Sequence, residues 1–152
     1  MAFIIAATDP NTPDVAALLT RHLELMQDQS PPESCHALPL DAFSDPDVTV
    51  FTLREADTLL AVGALRMDAG WGELKSMHTA QSARGRGAAR ALLDVLINVA
   101  RDANLTRLYL ETGSGPEHMA ARRLYASAGF SACAPFGDYL PDPLSYFMTR
   151  AI

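Results

Sequence analysis

Apolar and polar positions along this chain switch between two periods, and the switches divide it into strands and helices. Phe3 to Ala7 is a short apolar run closed by Asp9-Pro10, which reads as a first strand. Thr12-Pro13-Asp14 supplies a capping residue, a proline at the first helical position and an early acid. Val15, Leu18, Leu19, His22, Leu23 and Met26 follow at helical spacing and predict a helix to about Gln27. Ser30-Pro31-Pro32-Glu33-Ser34 breaks it, and the stretch to Pro46 is irregular or holds a short second helix. Val48 to Arg54 alternates and is β-branched, so it predicts a strand. Turns at Asp57-Thr58 and Asp68-Ala69-Gly70 set off two more strands, Leu59 to Met67 and Gly72 to Thr79.

A second long helix, from about Gly87 to Ala103, is expected to bury Leu92, Val95, Leu96 and Val99. Thr106 to Glu111 returns to a strand. Gly115-Pro116-Glu117 starts a further helix, which Ala128-Gly129 ends with glycine just past the last turn. Phe130 to Pro135 and Leu144 to Arg150 are the last strands, joined by a proline-rich link, Phe136 to Pro143. No repeat or linker divides the chain, so residues 1–152 are expected to form one α/β domain. Its mixed sheet carries antiparallel hairpins before a single βαβ crossover.

Composition narrows what such a domain does. A net charge of -6 argues against a general nucleic-acid binder. No run approaches the ~18 apolar residues of a membrane helix, and Met1 to Ala7 lacks a basic flank, so neither a membrane span nor a signal peptide is expected. Cys35 and Cys133 form no CxxC pair, and His22, His36, His78 and His118 show no metal-ligand spacing. The expectation is a cytoplasmic protein without a metal. Against the acidic background, Arg84, Arg86 and Arg90 crowd one turn between a strand and the long helix. Backbone N–H groups at a helix N-terminus, with arginines beside them, predict an anionic ligand.

This loop is neither of the two common phosphate loops. It comes after four strands rather than one, and it lacks GxxxxGK[ST]. Arg84 to Ala89 does read Arg-x-x-Gly-x-Ala, which resembles the acyl-CoA-binding motif of the GNAT N-acetyltransferase superfamily. Leu124-Tyr125 with Gly129-Phe130 resembles the same family's "LYxxxGF" helix ending, and the element order matches over almost the whole chain. Ser30 to Ser34, His36-Ala37-Leu38 and Pro135-Phe136-Gly137-Asp138-Tyr139 further resemble a bacterial subgroup of acetyltransferases. The resemblance implies the GNAT acyl-CoA N-acyltransferase fold, a mixed, mostly antiparallel sheet flanked by helices. It implies acetyl-CoA as co-substrate, a primary amine of a small molecule or peptide as acceptor, direct transfer in a ternary complex, and a homodimer.

Roles follow residue by residue. The amides of Arg84, Gly85, Arg86, Gly87, Ala88 and Ala89 are expected to wrap the diphosphate, with glycines at 85 and 87 permitting positive φ. In the resembled family the pantetheine arm pairs with the fourth strand, here Met77, His78 and Thr79, whose backbone also faces the thioester oxygen. Tyr125 matches the family's general acid. His118 stands where the family often has an asparagine contacting pantetheine. The base that frees the amine is Glu73, His78 or a water path. Period-two alternation puts Glu73, Lys75 and Met77 on one face and Leu74, Ser76 and His78 on the other. Glu33, His36, Asp138 and Tyr139 are candidate acceptor-lining groups. Plainer readings stand beside these: Glu73 as a surface acid paired to Lys75 or Arg66, Tyr125 as a core tyrosine, and the loop as a solvated turn. The alternative function is a regulatory GNAT-fold protein that holds acyl-CoA without transferring from it.

Overall fold

The computed structural model of the protein describes residues 2–152. Seven strands form one sheet: β1 Ile4–Ala7, β2 Val48–Glu55, β3 Thr58–Met67, β4 Trp71–Thr79, β5 Arg107–Gly113, β6 Ser131–Ala132 and β7 Ser145–Ala151. Their spatial order is β1-β2-β3-β4-β5-β7-β6, and every neighbouring pair is antiparallel except β4 with β5. The helices are α1 Pro13–Gln29, α2 Ala88–Asp102 and α3 Met119–Ser127. Single 3-10 turns at Pro32–Ser34 and Leu40–Ser44 occupy the stretch that the prolines deny to a second helix.

The sheet is covered on both faces. On one, Val15 and Leu19 of α1 pack with Phe43, Val50, Val62 and Ala64. On the other, α2 and α3 bury Leu92, Leu93, Leu96, Ile97 and Tyr125 against Leu53, Leu65, Leu74, Leu108 and Leu110. The α2 stripe lies one position off the expected one, and Val95 and Val99 sit at its edge, half-buried. Each of its fully buried leucines contributes about 1.5–3 kcal/mol relative to exposure. β6 is only two residues long, not the predicted Phe130–Pro135. Pro135, Pro141 and Pro143 cannot donate to a ladder, and the chain leaves the sheet to cross the face above β5 and β7. There Phe136 packs with Trp71, Tyr109, Phe147 and Tyr139, and Tyr139 also packs with Phe147.

Two irregularities open this sheet. β4 pairs β5 only from Trp71↔Arg107 to Leu74↔Leu110, and beyond that point no pairing joins them. On its other edge β4 bulges. Ala64 pairs Lys75, but Val62 pairs His78, so three residues of β4 answer two of β3. Ser76 absorbs the extra residue with φ 55. Gly63 faces the bulge, where a Cβ would stand 2.4 Å from Met77 Sδ.

The bulge corrects the expected alternation. His78 turns to the α1 face, beside Val62 and in reach of His22, and so joins Glu73 and Lys75. Met77 turns to the α2 face with Leu74. A strict period of two fails here because one residue of β4 has no counterpart on β3.

Candidate active site

A cleft of about 540 Å³ occupies the gap between β4 and β5. At one end lies the loop before α2. Gly85 and Gly87 take φ 77 and 80, values that suit glycine. The first N–H at this helix start with an acceptor is that of Ala91, to Gly87 O at 3.0 Å. No N–H from Gly85 through Arg90 meets a backbone acceptor among the described residues. These donors at a helix N-terminus fit the phosphates of an anionic ligand.

The arginines divide. Arg84 and Arg90 line the cleft. Arg86 does not, because Glu55 at the end of β2 holds its Nη2 at 2.7 and 2.8 Å. The expected role of the Arg86 side chain at the phosphates is therefore not one that this conformation offers. Arg90 donates to Asp94 at 3.0 Å and to Ser127 at 3.1 Å.

Along the middle of the cleft run Met77, His78 and Thr79 on one wall and His118, Leu124 and Tyr125 on the other. Tyr125 is 7% exposed, and burial alone drives its phenol well above the usual range, so it stays protonated. His118 comes from a 3-10 turn, Pro116–His118, that precedes α3 where the sequence suggests helix from the start. Its ring lies against Gly113, where any Cβ would overlap it. Three histidines meet here. Nδ1 of His22 and Nδ1 of His78 are 3.3 Å apart, one donating to the other. Burial lowers all three, His22 to about 4, with the charges of His78 and His118 adding to its fall. They are neutral at pH 7.

The far end is charged and closed. Glu73 is 3% exposed. Arg66 Nε and Nη2 each donate to its Oε1 at 3.3 Å. Lys75 Nζ at 3.2 Å and Tyr139 Oη at 2.6 Å donate to its Oε2. Lys75 also donates to Tyr139 Oη at 2.8 Å. Burial, then the negative charge of Glu73, raises the Tyr139 phenol far above its normal range and keeps it a donor. Above this cluster Ser34 Oγ donates to Asp142 Oδ2 at 2.6 Å, and the His36 ring meets the edge of Tyr139 at 5.1 Å. These two contacts tie the segment after α1 to the link before β7 and roof the charged end.

Glu73, His78, Tyr125, His118, Met77, Thr79, Arg84, Gly85, Gly87, Ala88, Ala89 and His36 thus share one cleft. Tyr139 sits behind it, bonded to two of its wall residues. Glu33 and Asp138 are exposed and lie outside the wall. Glu111, Thr112 and Gly113 of β5 belong to the wall and were not anticipated. Period two puts Glu111 on the face of Tyr109, but only the strand order brings β5 beside β4.

Comparison with known proteins identifies the family and the fold. The sequence model of the acetyltransferase (GNAT) family matches residues 15–130. The chain is 43% identical over 151 residues to YedL, an uncharacterized N-acetyltransferase of Escherichia coli, covering 99% of this chain and 95% of that one. It is also 43% identical over 139 residues to YsnE, an uncharacterized N-acetyltransferase of Bacillus subtilis, covering 91% and 92%. Among solved structures, an acyl-CoA N-acyltransferase from Klebsiella pneumoniae superposes with a TM-score of 0.79 at 28% identity, covering 98% of this chain and 97% of the other.

Proposed function

Because the chain belongs to the acetyltransferase (GNAT) family, we propose that it moves an acetyl group from acetyl-CoA to a primary amine of a small molecule or peptide. Both substrates are bound together, and transfer is direct. The single domain expected over residues 1–152 carries the whole site.

The observation that supports this reading is the continuity of one cleft, from the free N–H groups of Gly85 to Arg90, past Tyr125, to the buried carboxyls. The helix start and Arg84 hold the diphosphate. The β4 edge left open by the splay offers backbone groups to the pantetheine amides. The bulge at Ser76 turns the backbone of Met77 and His78 toward the thioester oxygen, where an N–H stabilises the developing oxyanion. Tyr125, protonated and lining the cleft, returns a proton to the departing thiolate. The acceptor's proton is taken on the α1 face, where Glu73, His78 and Glu111 lie.

Free-thiol release from acetyl-CoA, against a panel of polyamines, amino acids and peptide N-termini, tests the reading. Turnover with one acceptor class is the expected result. Tyr125→Phe should lower kcat by about 10²–10⁴-fold and leave acetyl-CoA affinity intact. An acetyl-CoA-dependent thermal shift without thiol release from any amine would instead favour a protein that holds acyl-CoA and transfers nothing.

A further inference from the structure

Two carboxyls lie in the acceptor half of the cleft, in opposite states of engagement. Glu73 receives four hydrogen bonds, two from Arg66 and one each from Lys75 and Tyr139. An ionised carboxylate has about four lone-pair sites, so Glu73 has none left for an incoming proton unless a donor withdraws. Glu111 differs. It stands one position beyond Leu110, the last residue of β5 paired to β4, at the mouth of the splayed gap. It lines the cleft and forms no ion pair among the described residues. Glu73 and Lys75 face it from β4, Tyr139 and Asp142 from the link, and Ser145 from β7. Lys75, the cation among them, is held by Glu73 and Tyr139 instead.

Building on the acetyl-transfer reading above, we propose that Glu111 is the catalytic base, binding the acceptor's ammonium and taking its proton. Glu73 is a positioning residue that holds Lys75 and Tyr139 in place. The ammonium gives one proton to the Glu111 carboxylate and becomes a neutral amine. Its lone pair forms the C–N bond to the thioester carbon, and the carbonyl π pair moves to oxygen. On collapse the C–S bond breaks and its electron pair leaves with sulfur. A second proton from nitrogen passes through Tyr125 to that thiolate. The products are the amide, free CoA thiol and protonated Glu111, which returns its proton to water.

The environment of Glu111 suits the task. Burial pushes its carboxyl up to about 7, and the negative charges of Glu73 and Asp142 add to the rise, against the pull of the Ser145 hydroxyl and Lys75. A carboxyl in that range is a stronger base than an ordinary one and is ionised just above neutrality. An arriving ammonium is the counter-charge it lacks.

Free-thiol release with the amine of the panel that wild type turns over fastest, followed from about pH 5.5 to 9, tests the assignment. Wild-type kcat/KM should rise with pH through about 7. Glu111→Gln should lose about 10²–10³-fold and the acid limb with it. Glu111→Asp, which keeps a carboxyl, should retain a limb, and Glu73→Gln should keep a limb at reduced rate, moved to lower pH because the charge of Glu73 no longer raises Glu111. An acetyl-CoA-dependent thermal shift in each variant reports an intact fold and donor end. A limb that survives in Glu111→Gln, or one removed by Glu73→Gln alone, overturns the base role while leaving acetyl transfer standing. If wild type releases thiol with no amine, the transfer reading falls and the base role falls with it.

Discussion

Gly63→Ala bears directly on the bulge that shapes the site. The new Cβ would stand 2.4 Å from Met77 Sδ and 3.3 Å from Leu92 Cδ2 and Leu96 Cδ1. Both leucines are fully buried, so the sulfur must yield or β3 must move. Overpacking of this kind costs about 1–3 kcal/mol. For a domain of 152 residues each kcal/mol lowers Tm by about 2–4 °C, so the expected fall is about 2–12 °C. Met77→Ala alone leaves a cavity and costs about 2–5 kcal/mol. Combined, the two changes relieve each other, because the methyl of residue 63 enters the space the sulfur vacates. The double variant should therefore be less destabilised than the sum of the singles by about 0.5–3 kcal/mol. Thermal or urea unfolding of the four proteins measures that coupling. Thiol release should fall in Gly63→Ala and recover partly in the double variant as the β4 backbone returns. Additive destabilisation would show that the bulge is not held against Gly63 by Met77, and would refute this account of how it is fixed.

Two other expectations probe the two ends of the cleft. Arg84→Glu should weaken acetyl-CoA binding by calorimetry far more than Arg86→Glu does, because Arg84 lines the cleft and Arg86 is paired to Glu55; equal losses would mean that Arg86 leaves Glu55 when ligand arrives. The contribution of His22 to stability should be lost as pH falls from about 6.5 to 4, since His22, held down to about 4 when folded, takes up its proton sooner in the unfolded chain. His22→Gln should flatten that decline in Tm measured against pH. Glu111 works in the opposite sense, because its raised carboxyl binds a proton sooner in the folded state and so adds stability as pH falls below 7. Comparison of His22→Gln with Glu111→Gln separates the two.

The elements were legible wherever a period and its boundary signals agree. α2 has both, a stripe of leucines behind Gly87, and its bounds differ from the expected ones by one residue at each end. The loop Arg84 to Ala89 and Leu124-Tyr125 were legible as motifs because their conformation is set by backbone and by one helix turn. The charged end of the cleft was not. Ser76 carries a positive φ that no feature of its side chain announces, so the shift that brings His78 over to Glu73 was invisible. Glu111 needed the strand order, since nothing local says which strand adjoins β4. Arg86 shows the limit of reading charge along a chain. A cluster in sequence says nothing of a carboxylate 31 residues away that claims one member. Glu33 and Asp138 lie outside the wall for a related reason, because the two segments that carry them turn Ser34 and Tyr139 inward instead.

The Ser34–Asp142 bond has a bearing on how this chain can change over time. The end proposed for acetyl-CoA is assembled from contiguous stretches, the end of β4 with its loop and α3 with the turn before it, all seated on the main core. The roof of the charged end comes from two segments outside the sheet, separated by 108 positions and joined there by one hydrogen bond between side chains. Neither segment contributes a leucine or valine to the fully buried core. Apart from Phe136, anchored among Trp71, Tyr109 and Phe147, the roof can therefore take substitutions with little loss of folding stability, while positions of the loop before α2 and of α3 are held by the main core. On the acetyl-transfer reading proposed above, a lineage built on this plan can exchange one amine for another by redrawing exposed positions of the roof, and keep the same acetyl source throughout.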